Sequence, residues 1–395
     1  MPNQAILPEV QALTPAMTAL RQHLHAHPEL SYEEFETSRL VAAKLREWGY
    51  EVHQGLAGTG VVGSLRKGRS ARVIGLRADM DALPILETSG LPYASRHEGK
   101  MHACGHDGHT AMLLAAGQCL ARDIDFDGTV RLIFQPAEEG HVGARKMIED
   151  GLFQLFPCDA VFAMHNWPGL PVGRFGFLAG PFMASADTVT IRIHGRGGHG
   201  AMPHDTVDPV VTAASLVMAL QTVVARNVPP LDMGVVGVGA IHGGSSSSVV
   251  PASVELAVTV RALKNATRDL LLRRIDELAH AQARAYGARA EVLVSPNAFP
   301  VLYNHPHETA LARGVVQDWL GDEGLVADMQ PMTCSEDFSF MLQAYPGSYL
   351  VMGNGEGSEG GCLLHNPGYD FNDASLPYGA TYWVKLVSTF LGPDD

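Results

Sequence analysis

The feature that most constrains the fold is a regular alternation of strand and helix patterns that is interrupted once. In the first part of the chain, the strand patterns RVIGLRAD, TVRLIFQPAE and AVFAMHNW alternate with helix patterns such as TAMLLAAGQCLA. Short apolar runs rich in Val, Ile and Phe are typical of strands buried in a parallel sheet with helices on both faces. The alternation therefore predicts an α/β domain.

The interruption, predicted at residues 186–297, has its own pattern. Four strand patterns and two helix patterns follow one another in the order β-α-β-β-α-β, the ferredoxin-like plan. Its first helix is predicted to begin at Asp208, with Pro209 in the first helical position. The sequence thus predicts a catalytic domain with a largely parallel sheet, built from residues 1–185 and 298–395. A ferredoxin-like α+β domain interrupts it.

Two local predictions concern the N-terminal part. Ser31 and Glu34 have the Ser-x-x-Glu spacing of a capping box, which predicts a helix that begins there and ends at Gly49. The next two strand patterns, GVVGSL and RVIGLRAD, are separated by the turn-like RKGRS. This arrangement predicts a β-hairpin.

Charge and composition exclude several classes of function. The chain has 28 Lys and Arg against 42 Asp and Glu, a net charge of −14, so nucleic acids and anionic membranes would repel it. No apolar run approaches the roughly 20 residues of a membrane span, and the N-terminal stretch lacks the basic region of a secretory signal. Five scattered cysteines suit a reducing compartment. We expect a cytoplasmic protein with neither nucleic-acid nor membrane partners.

Chemically reactive side chains follow several of the predicted strands. Because the carboxyl ends of parallel strands meet at one edge of a sheet, these side chains should lie close together. Each of them alone has an ordinary structural explanation, as a solvated carboxylate, a core thiol or a surface imidazole. Together they form a candidate site of Asp79, Asp81, Cys104, His106, Glu138, Glu139, His165 and His365.

The types of these side chains indicate divalent metal ions. Cys104 and His106, within three residues of each other, suit a borderline-soft cation. If Glu139, His165 and His365 join them, five ligands are too many for one tetrahedral ion. Five ligands with one of them shared suit two ions that keep open positions, which is a catalytic arrangement.

The dipeptide Glu138-Glu139 suggests a division of labour. Adjacent residues that leave a strand are expected to point in opposite directions. One carboxylate would then bind metal while the other faces the activated water as a general base.

Three other patterns are interpreted as structural. Gly58, Gly60 and Gly63 match a dinucleotide-binding string, but a strand pattern follows where that motif requires a helix. The alternating histidines at positions 23, 25 and 27 do not all share a helix face and are interpreted as surface or packing residues. The run of serines from Ser245 to Ser248 lacks the strand-turn-helix context of a nucleophile.

With these residues in view, the chain resembles the co-catalytic metallo-aminoacylase and carboxypeptidase family. Within it, the chain looks similar to the branch of hippurate hydrolases, N-acyl-L-amino-acid amidohydrolases and indole-acetyl-amino-acid hydrolases. The resemblance covers nearly the whole chain. It rests on the ordered motifs LHAHPELSYEE, LRADMDALPI, MHACGHDGHTAML, FQPAEEG, HNWPG, GRGGHGAMPHDTVDPV, TCSEDFSF and LLHNPGYDFND.

The resemblance implies roles for individual residues. The ligands of two divalent ions per subunit (Mn, Zn, Co or Ni) would be Cys104, His106, Glu139, His165 and His365. Glu138 would be the general base, and Asp81 would orient the site. His199 of the inserted domain would reach the active site of a neighbouring subunit and polarise the scissile carbonyl. Arg261 would hold the substrate carboxylate, and the inserted domain would form a homodimer or a higher homo-oligomer.

The expected reaction is hydrolysis of an N-acyl-L-amino acid by metal-activated water, giving a carboxylate and a free amino acid. A carboxypeptidase or dipeptidase using the same site is the alternative, and a non-catalytic metal-dependent binding protein is a third possibility. The chain departs from the family pattern at a few positions. Asp79 stands in place of a histidine, Ser248 in place of an asparagine, and His141 and Val142 in place of small residues in the expected pocket wall.

Overall fold

The computed structural model describes residues 6–357 and 360–392. Its described residues fall into two compact units. The first takes them from Met1–Gly180, Tyr303–Gln330 and Phe340–Asp395, and the second from Pro181–Leu302 and Pro331–Ser339. The sequence patterns did not predict that this last short segment belongs to the second unit.

Strands and α-helices are numbered in chain order through both units. The strands are β1 (Glu51–Leu56), β2 (Gly60–Lys67), β3 (Val73–Asp79), β4 (Gly128–Gln135), β5 (Ala160–Pro168), β6 (Phe175–Gly176), β7 (Gly180–Met183), β8 (Ser185–His194), β9 (Gly198–His199), β10 (Gly234–His242), β11 (Val249–Val250), β12 (Ser253–Ala262), β13 (Arg289–Val294), β14 (Leu302–Asn304) and β15 (Gly347–Gly355). The helices are α1 (Pro8–Ala26), α2 (Phe35–Glu47), α3 (His106–Arg122), α4 (Gly143–Glu149), α5 (Leu152–Leu155), α6 (Pro209–Asn227), α7 (Asn265–Ala285), α8 (Pro306–Leu320), α9 (Ser339–Ala344) and α10 (Leu376–Phe390).

The first unit contains a seven-stranded sheet in the order β1-β2-β4-β3-β5-β15-β6. The four central strands β4, β3, β5 and β15 run parallel, and antiparallel strands flank them on both sides. The prediction of a mostly parallel central sheet is therefore confirmed. Its carboxyl edge carries the ends of β3 and β4, where the sequence places its acidic pairs.

Burial on both faces explains the apolar composition of the central strands. All nine residues of β15 are buried, as are eight of the nine residues of β5. Helix α3 packs against α1, α10 and β3, and fourteen of its residues are buried. Such a helix cannot show a polar stripe, because it has almost no solvent-exposed face.

The predicted start of the helix that precedes Gly49 is wrong. Helix α2 begins at Phe35 with Glu34 in the N-cap position and no side-chain cap, so Ser31 and Glu34 do not form a capping box. The hydroxyl of Ser31 donates instead to Asp81. The predicted end of the helix is confirmed, since Gly49 follows it in the left-handed conformation at φ +88°.

The predicted hairpin of β2 and β3 is wrong. Strand β2 pairs with β1 and β4, whereas β3 lies between β4 and β5. Strand β4 is thus inserted between two strands that are neighbours in sequence. Turn composition predicts a reversal of the chain, but the choice of partner depends on long-range pairing.

The second unit contains a four-stranded antiparallel sheet in the order β10-β12-β8-β13. Strand β8 alternates between buried and less buried residues, as expected for a sheet that has helices on one face. Helix α6 begins as predicted, because the carboxylate of Asp208 accepts the backbone N–H groups of Val210 and Val211. Its buried residues and those of α7 join one apolar core with the sheet.

Helix α6 differs from the expectation that no segment has the length and apolarity of a membrane span. The helix has 19 residues, and an 18-residue window of it reaches a mean hydropathy of 1.4 with 33% of the window buried. By length and composition, it is the one helix among the described residues that could cross a membrane. A single helix of this kind is weak evidence, because helices that line a protein core pass the same test.

Candidate metal centre

Cys104 and His106 flank Gly105 at the start of α3, where any other residue would be strained. Gly105 lies between them in the left-handed conformation, at φ +92°. A Cβ atom at this position would lie 2.2 Å from Nδ2 of Asn166. The thiol and the imidazole are therefore fixed side by side, both buried, by the close approach of the backbone to Asn166.

Four chain segments of the first unit bring metal-ligating groups to this point. One potential ligand atom from each of Cys104, His106 and His165 lies within 4.8 Å of the others, and the same holds for Cys104, Glu139 and His365. Cys104 belongs to both groups. All five residues that the sequence singled out as ligands thus lie together, and the thiol is common to two three-residue sets.

His165 lies within β5 and its ring is oriented by the main chain. Its Nδ1 lies 2.6 Å from the carbonyl oxygen of Asn166, which makes Nδ1 the hydrogen-bond donor. Burial, with a contribution from His109, lowers the pKa of His165 well below its usual value. The ring is therefore neutral, and its Nε2 has a free lone pair. This nitrogen lies 3.3 Å from Sγ of Cys104. A neutral imidazole held in this way is the usual form of a metal-binding histidine.

The charges of the cluster also suit a cation. Burial opposes protonation of His106, but the charge of Asp79 and the hydrogen bond of Asp81 outweigh it and raise the pKa of the imidazole to about 10. Burial and the carboxylates of Glu139 and Glu138 raise the pKa of the Cys104 thiol well above its ordinary value. His106 and Cys104 therefore hold protons in the absence of metal. Binding of a divalent cation would release these protons and supply positive charge in their place.

An orphaned ring nitrogen provides a further test of this fit. Nε2 of His106 is buried and has no hydrogen-bond partner among the described residues. Its nearest charged neighbours are Asp79 at 3.7 Å and Glu139 at 4.0 Å. A buried polar atom without a partner is costly, and coordination of a metal ion would satisfy it. The residues present therefore fit a metal centre.

Glu138 and Glu139 do not point in opposite directions, contrary to the expectation from strand geometry. Strand β4 ends at Gln135, and Ala137 then turns the chain in the left-handed conformation at φ +56°. Both carboxylates consequently lie on the same side, each within 4.8 Å of a ring nitrogen of His106. Glu138 is 7% exposed and Glu139 lies next to His365, with 3.2 Å between Oε1 and Nε2.

Comparison with known proteins agrees with this geometry. The sequence model of peptidase family M20/M25/M40 matches residues 75–389. This chain belongs to peptidase family M20/M25/M40. The family resemblance predicted from the sequence motifs is confirmed.

Two relatives and one solved structure show how much of this chain is similar to known proteins. The hippurate hydrolase of Campylobacter jejuni is 41% identical over 98% of this chain and 99% of its own length. The N-acetyl-L-cysteine deacetylase of Bacillus subtilis is 39% identical over 98% of this chain and 91% of its own. The crystal structure of a dinuclear metal-binding peptidase of the M20 family from Bacillus subtilis superposes with a TM-score of 0.82. It is 33% identical and covers 96% of this chain and 99% of that one.

Asp81 and Asp79 support the cluster in different ways. Asp81 accepts from the backbone N–H groups of Glu138 and Glu139 and lies 3.2 Å from Nδ1 of His106. Asp79 accepts from Arg77 and lies 2.6 Å from Nδ1 of His109, so its charge is balanced within the sheet edge. Asp81 thus contacts three candidate site residues directly.

His199 and Arg261 belong to the second unit. His199 is exposed at the end of β9, and its Nδ1 accepts the backbone N–H of Ala201 at 3.1 Å. Arg261 is half-buried in β12 and donates to the hydroxyl of Ser335 at 3.2 Å. Burial lowers the pKa of its guanidinium. Their predicted roles toward substrate stay predictions.

Of the residues that depart from the family pattern, Asp79 and Val142 are buried, whereas His141 and Ser248 are exposed. His141 is exposed, and its carbonyl oxygen accepts the hydroxyl of Tyr32 at 2.7 Å. Val142 is buried and adopts the left-handed conformation at φ +55°. Ser248 is exposed in the serine run, where its hydroxyl lies 3.0 Å from that of Ser246.

Asn166, which no sequence motif singled out, orders the centre of this M20 chain. Asn166 donates through Nδ2 to the carbonyl oxygen of Cys104 and accepts the hydroxyl of Tyr369. Its backbone N–H donates to Nε2 of His109. A polar residue directly after His165 in an otherwise apolar strand was the signal that could have revealed it.

Proposed function

We propose that this chain is a metal-dependent amidohydrolase that cleaves N-acyl-L-amino acids, such as acetyl or benzoyl derivatives, into a carboxylate and a free amino acid. It is a hydrolase that acts on amide bonds. The observation that carries the proposal is the gathering of Cys104, His106, Glu139, His165 and His365 beside the buried carboxylate of Glu138. Relatives named for acyl-amino-acid hydrolysis over the full chain length support the substrate class.

The five ligand candidates would hold two divalent ions per subunit. Cys104 is common to both three-residue sets, which suits a shared ligand. Thiolate and imidazole favour Zn, Co or Ni over Mg or Ca, and the carboxylate of Glu139 also suits Mn. Divalent ions bound there supply Lewis-acid chemistry, since they acidify water and polarise a carbonyl oxygen.

Glu138 would act as the general base. Its carboxylate is buried and lies within 4.8 Å of the ligand atoms of His106 and Glu139. It would take a proton from the attacking water and deliver that proton to the nitrogen of the leaving amine. Because Glu139 would bind the cation, the carboxylate of Glu138 would remain free to transfer this proton.

The second unit would complete the site in a homodimer or higher homo-oligomer. His199 would donate a hydrogen bond to the carbonyl oxygen of the substrate in a neighbouring subunit, and Arg261 would pair with the substrate carboxylate. The exposure of His199 supports its availability to another subunit. The domain boundaries at residues 186 and 297, the dimer and the cytoplasmic location belong to this proposal.

A carboxypeptidase or dipeptidase activity on the same site is the second candidate. The similar solved structure from Bacillus subtilis is described as that of a peptidase, which favours this alternative. In both reactions the bond that breaks is the amide between an acyl group and the nitrogen of an amino acid with a free carboxylate. The same base and the same metal ligands would serve either reaction. The substrates separate the two candidates, because only the dipeptide carries an α-amino group on its acyl side.

One screen tests the proposal. The purified protein, loaded with Mn²⁺, is assayed for free amino acid released from acetyl- and benzoyl-amino acids and from matched dipeptides, with and without a chelator. We expect chelator-sensitive hydrolysis of the acyl substrates. Faster hydrolysis of the dipeptides would favour the peptidase. No hydrolysis of either class by a protein of full metal content would overturn both.

A further inference from the structure

The turn that carries Glu138 and Glu139 is held by two buried carboxylates. Three consecutive backbone N–H groups point at them: that of Ala137 donates to Oε1 of Glu34 at 2.9 Å, and those of Glu138 and Glu139 donate to Asp81 at 3.1 Å each. The carboxylate pair of the candidate centre is thus fixed through its main chain.

Glu34 contacts the backbone of Ala137 through one oxygen of its carboxylate. It is fully buried, and its other oxygen, Oε2, accepts the hydroxyl of Thr59 at 2.7 Å. Each of its two carboxylate oxygens therefore has a partner that fixes the rotamer of the side chain. Burial and the charge of Asp81 raise the pKa of Glu34 to about 7, so the fold keeps this carboxyl where its ionised form is disfavoured.

The held residue is in an uncommon backbone conformation. Ala137 has φ +56°, a region that residues with a Cβ rarely occupy. Its N–H is buried, and its carbonyl oxygen accepts from the backbone N–H of Gly143 at 2.9 Å. Without an acceptor for that N–H, the turn would lose the contact that offsets its strained conformation.

We infer that Glu34 is a positioning residue for catalysis, which acts by holding the main chain of Ala137 so that Glu138 and Glu139 face the metal centre. This inference rests on the proposed function, because it takes Glu138 as base and Glu139 as ligand. Displacement of reacting groups by about 1 Å can lower turnover roughly 10²-fold. The length of the side chain and its acceptor oxygen carry the role, and its negative charge does not.

Three substitutions separate reach from charge. Glu34→Gln keeps the length and an acceptor oxygen for Ala137, and its amide group can donate to the hydroxyl of Thr59. Glu34→Asp keeps an ionisable carboxyl but shortens the side chain by one methylene. Glu34→Ala removes both. The matched control is Glu33→Ala. The carboxylate of Glu33 is exposed and pairs with Nζ of Lys100 at 2.7 Å.

The expected result is a kcat lowered by about 10- to 100-fold in Glu34→Ala and Glu34→Asp, with KM within about threefold of wild type. Glu34→Gln should recover turnover to within about threefold of wild type, as should Glu33→Ala. Full turnover in Glu34→Ala would overturn the inference. Turnover restored by Asp and not by Gln would overturn it as well, because charge would then be the property that matters.

Calorimetric titration of the metal-stripped proteins with Mn²⁺ provides a readout independent of activity. Affinity should fall by about tenfold or more in Glu34→Ala and Glu34→Asp, since Glu139 loses its fixed position, and should be retained in Glu34→Gln. If the wild type hydrolyses no amide, the proposed function fails, and this titration alone decides the inference. Equal Mn²⁺ affinity in all four variants and wild type would then overturn it too. Amide hydrogen exchange at residues 137–139 shows whether a folded Glu34→Ala protein has loosened at this turn.

Discussion

Nδ1 of the buried His106 lies 3.2 Å from Oδ1 of Asp81. The same oxygen accepts the backbone N–H of Glu138, so one atom orients a candidate ligand and the candidate base.

The first prediction concerns this contact. Asp81→Asn should lower metal affinity by about 10- to 100-fold and lower turnover with it. Metal content after dialysis and kcat are the measurements. Ser31→Ala, which removes only the hydroxyl bound to Asp81, should have the smaller effect on both. A larger effect of Ser31→Ala would contradict this assignment.

Metal dependence is the second expectation. A chelator should abolish activity, and Mn, Co, Ni or Zn should restore it. Cys104→Ala should lower metal occupancy, measured by elemental analysis, because the thiol is common to both ligand sets. Cys119→Ala is the matched control, since that thiol is buried in the apolar core. Full activity in a metal-free sample would show that the centre is not catalytic.

The third expectation separates the two adjacent glutamates. Glu138→Gln keeps the shape but removes the proton acceptor, so turnover should fall by roughly 10²- to 10⁴-fold while metal content stays near normal. Glu139→Gln should lower metal content as well. The two measurements on both variants decide the roles. Equal loss of metal in both would show that base and ligand are not divided in this way.

The fourth prediction concerns an active site to which two subunits contribute. His199→Ala should lower turnover by about 10²- to 10³-fold. If His199 acts across a dimer interface, a heterodimer of His199→Ala and Glu138→Gln chains has one site with both defects and one with neither. Reassembly of the two inactive proteins should recover up to about half the activity per heterodimer. A heterodimer as inactive as its parents would show that His199 does not act on the partner subunit. His204→Ala, an exposed histidine in the same unit, is the control.

The fifth expectation concerns pH and stability. Nδ1 of the buried His25 lies 2.9 Å from Asp107, and Nε2 lies 3.3 Å from Glu87. Burial disfavours the charged ring, but the hydrogen bonds of Asp107 and Glu87 outweigh it and raise the pKa of His25 to about 9. Because the folded pKa lies above the unfolded value, the stabilisation is complete below about pH 6.5 and is lost as pH rises through about 9.

Thermal unfolding between about pH 6 and pH 10, with a chelator present throughout, measures this effect. The difference in unfolding free energy between wild type and His25→Gln should shrink as pH rises, by an amount on the order of 3 kcal/mol. His23→Gln, which alters an exposed histidine on the same helix, should show no such trend. A constant difference for His25→Gln would contradict the assignment.

Local chemistry determined much of this protein. Apolar runs predicted the buried parallel strands, because such strands exclude polar residues on both faces. Residue types at the start of α3, after β4, within β5 and after β15 predicted the candidate ligands. The start of α6 followed from Asp208 and Pro209, since a cap depends only on neighbouring residues.

Tertiary structure decided which strands pair and which side chains form hydrogen bonds with each other. Strand β4 separates β2 from β3, and Ser31 and Glu34, which have the spacing of a helix cap, bind Asp81 and Ala137 instead. Glu138 and Glu139 face the same side because Ala137 adopts a left-handed conformation that distant carboxylates hold. Such outcomes depend on contacts between residues far apart in sequence, whose free energies no local pattern contains. The sequence determined which groups this site has, and long-range packing determined how they are oriented.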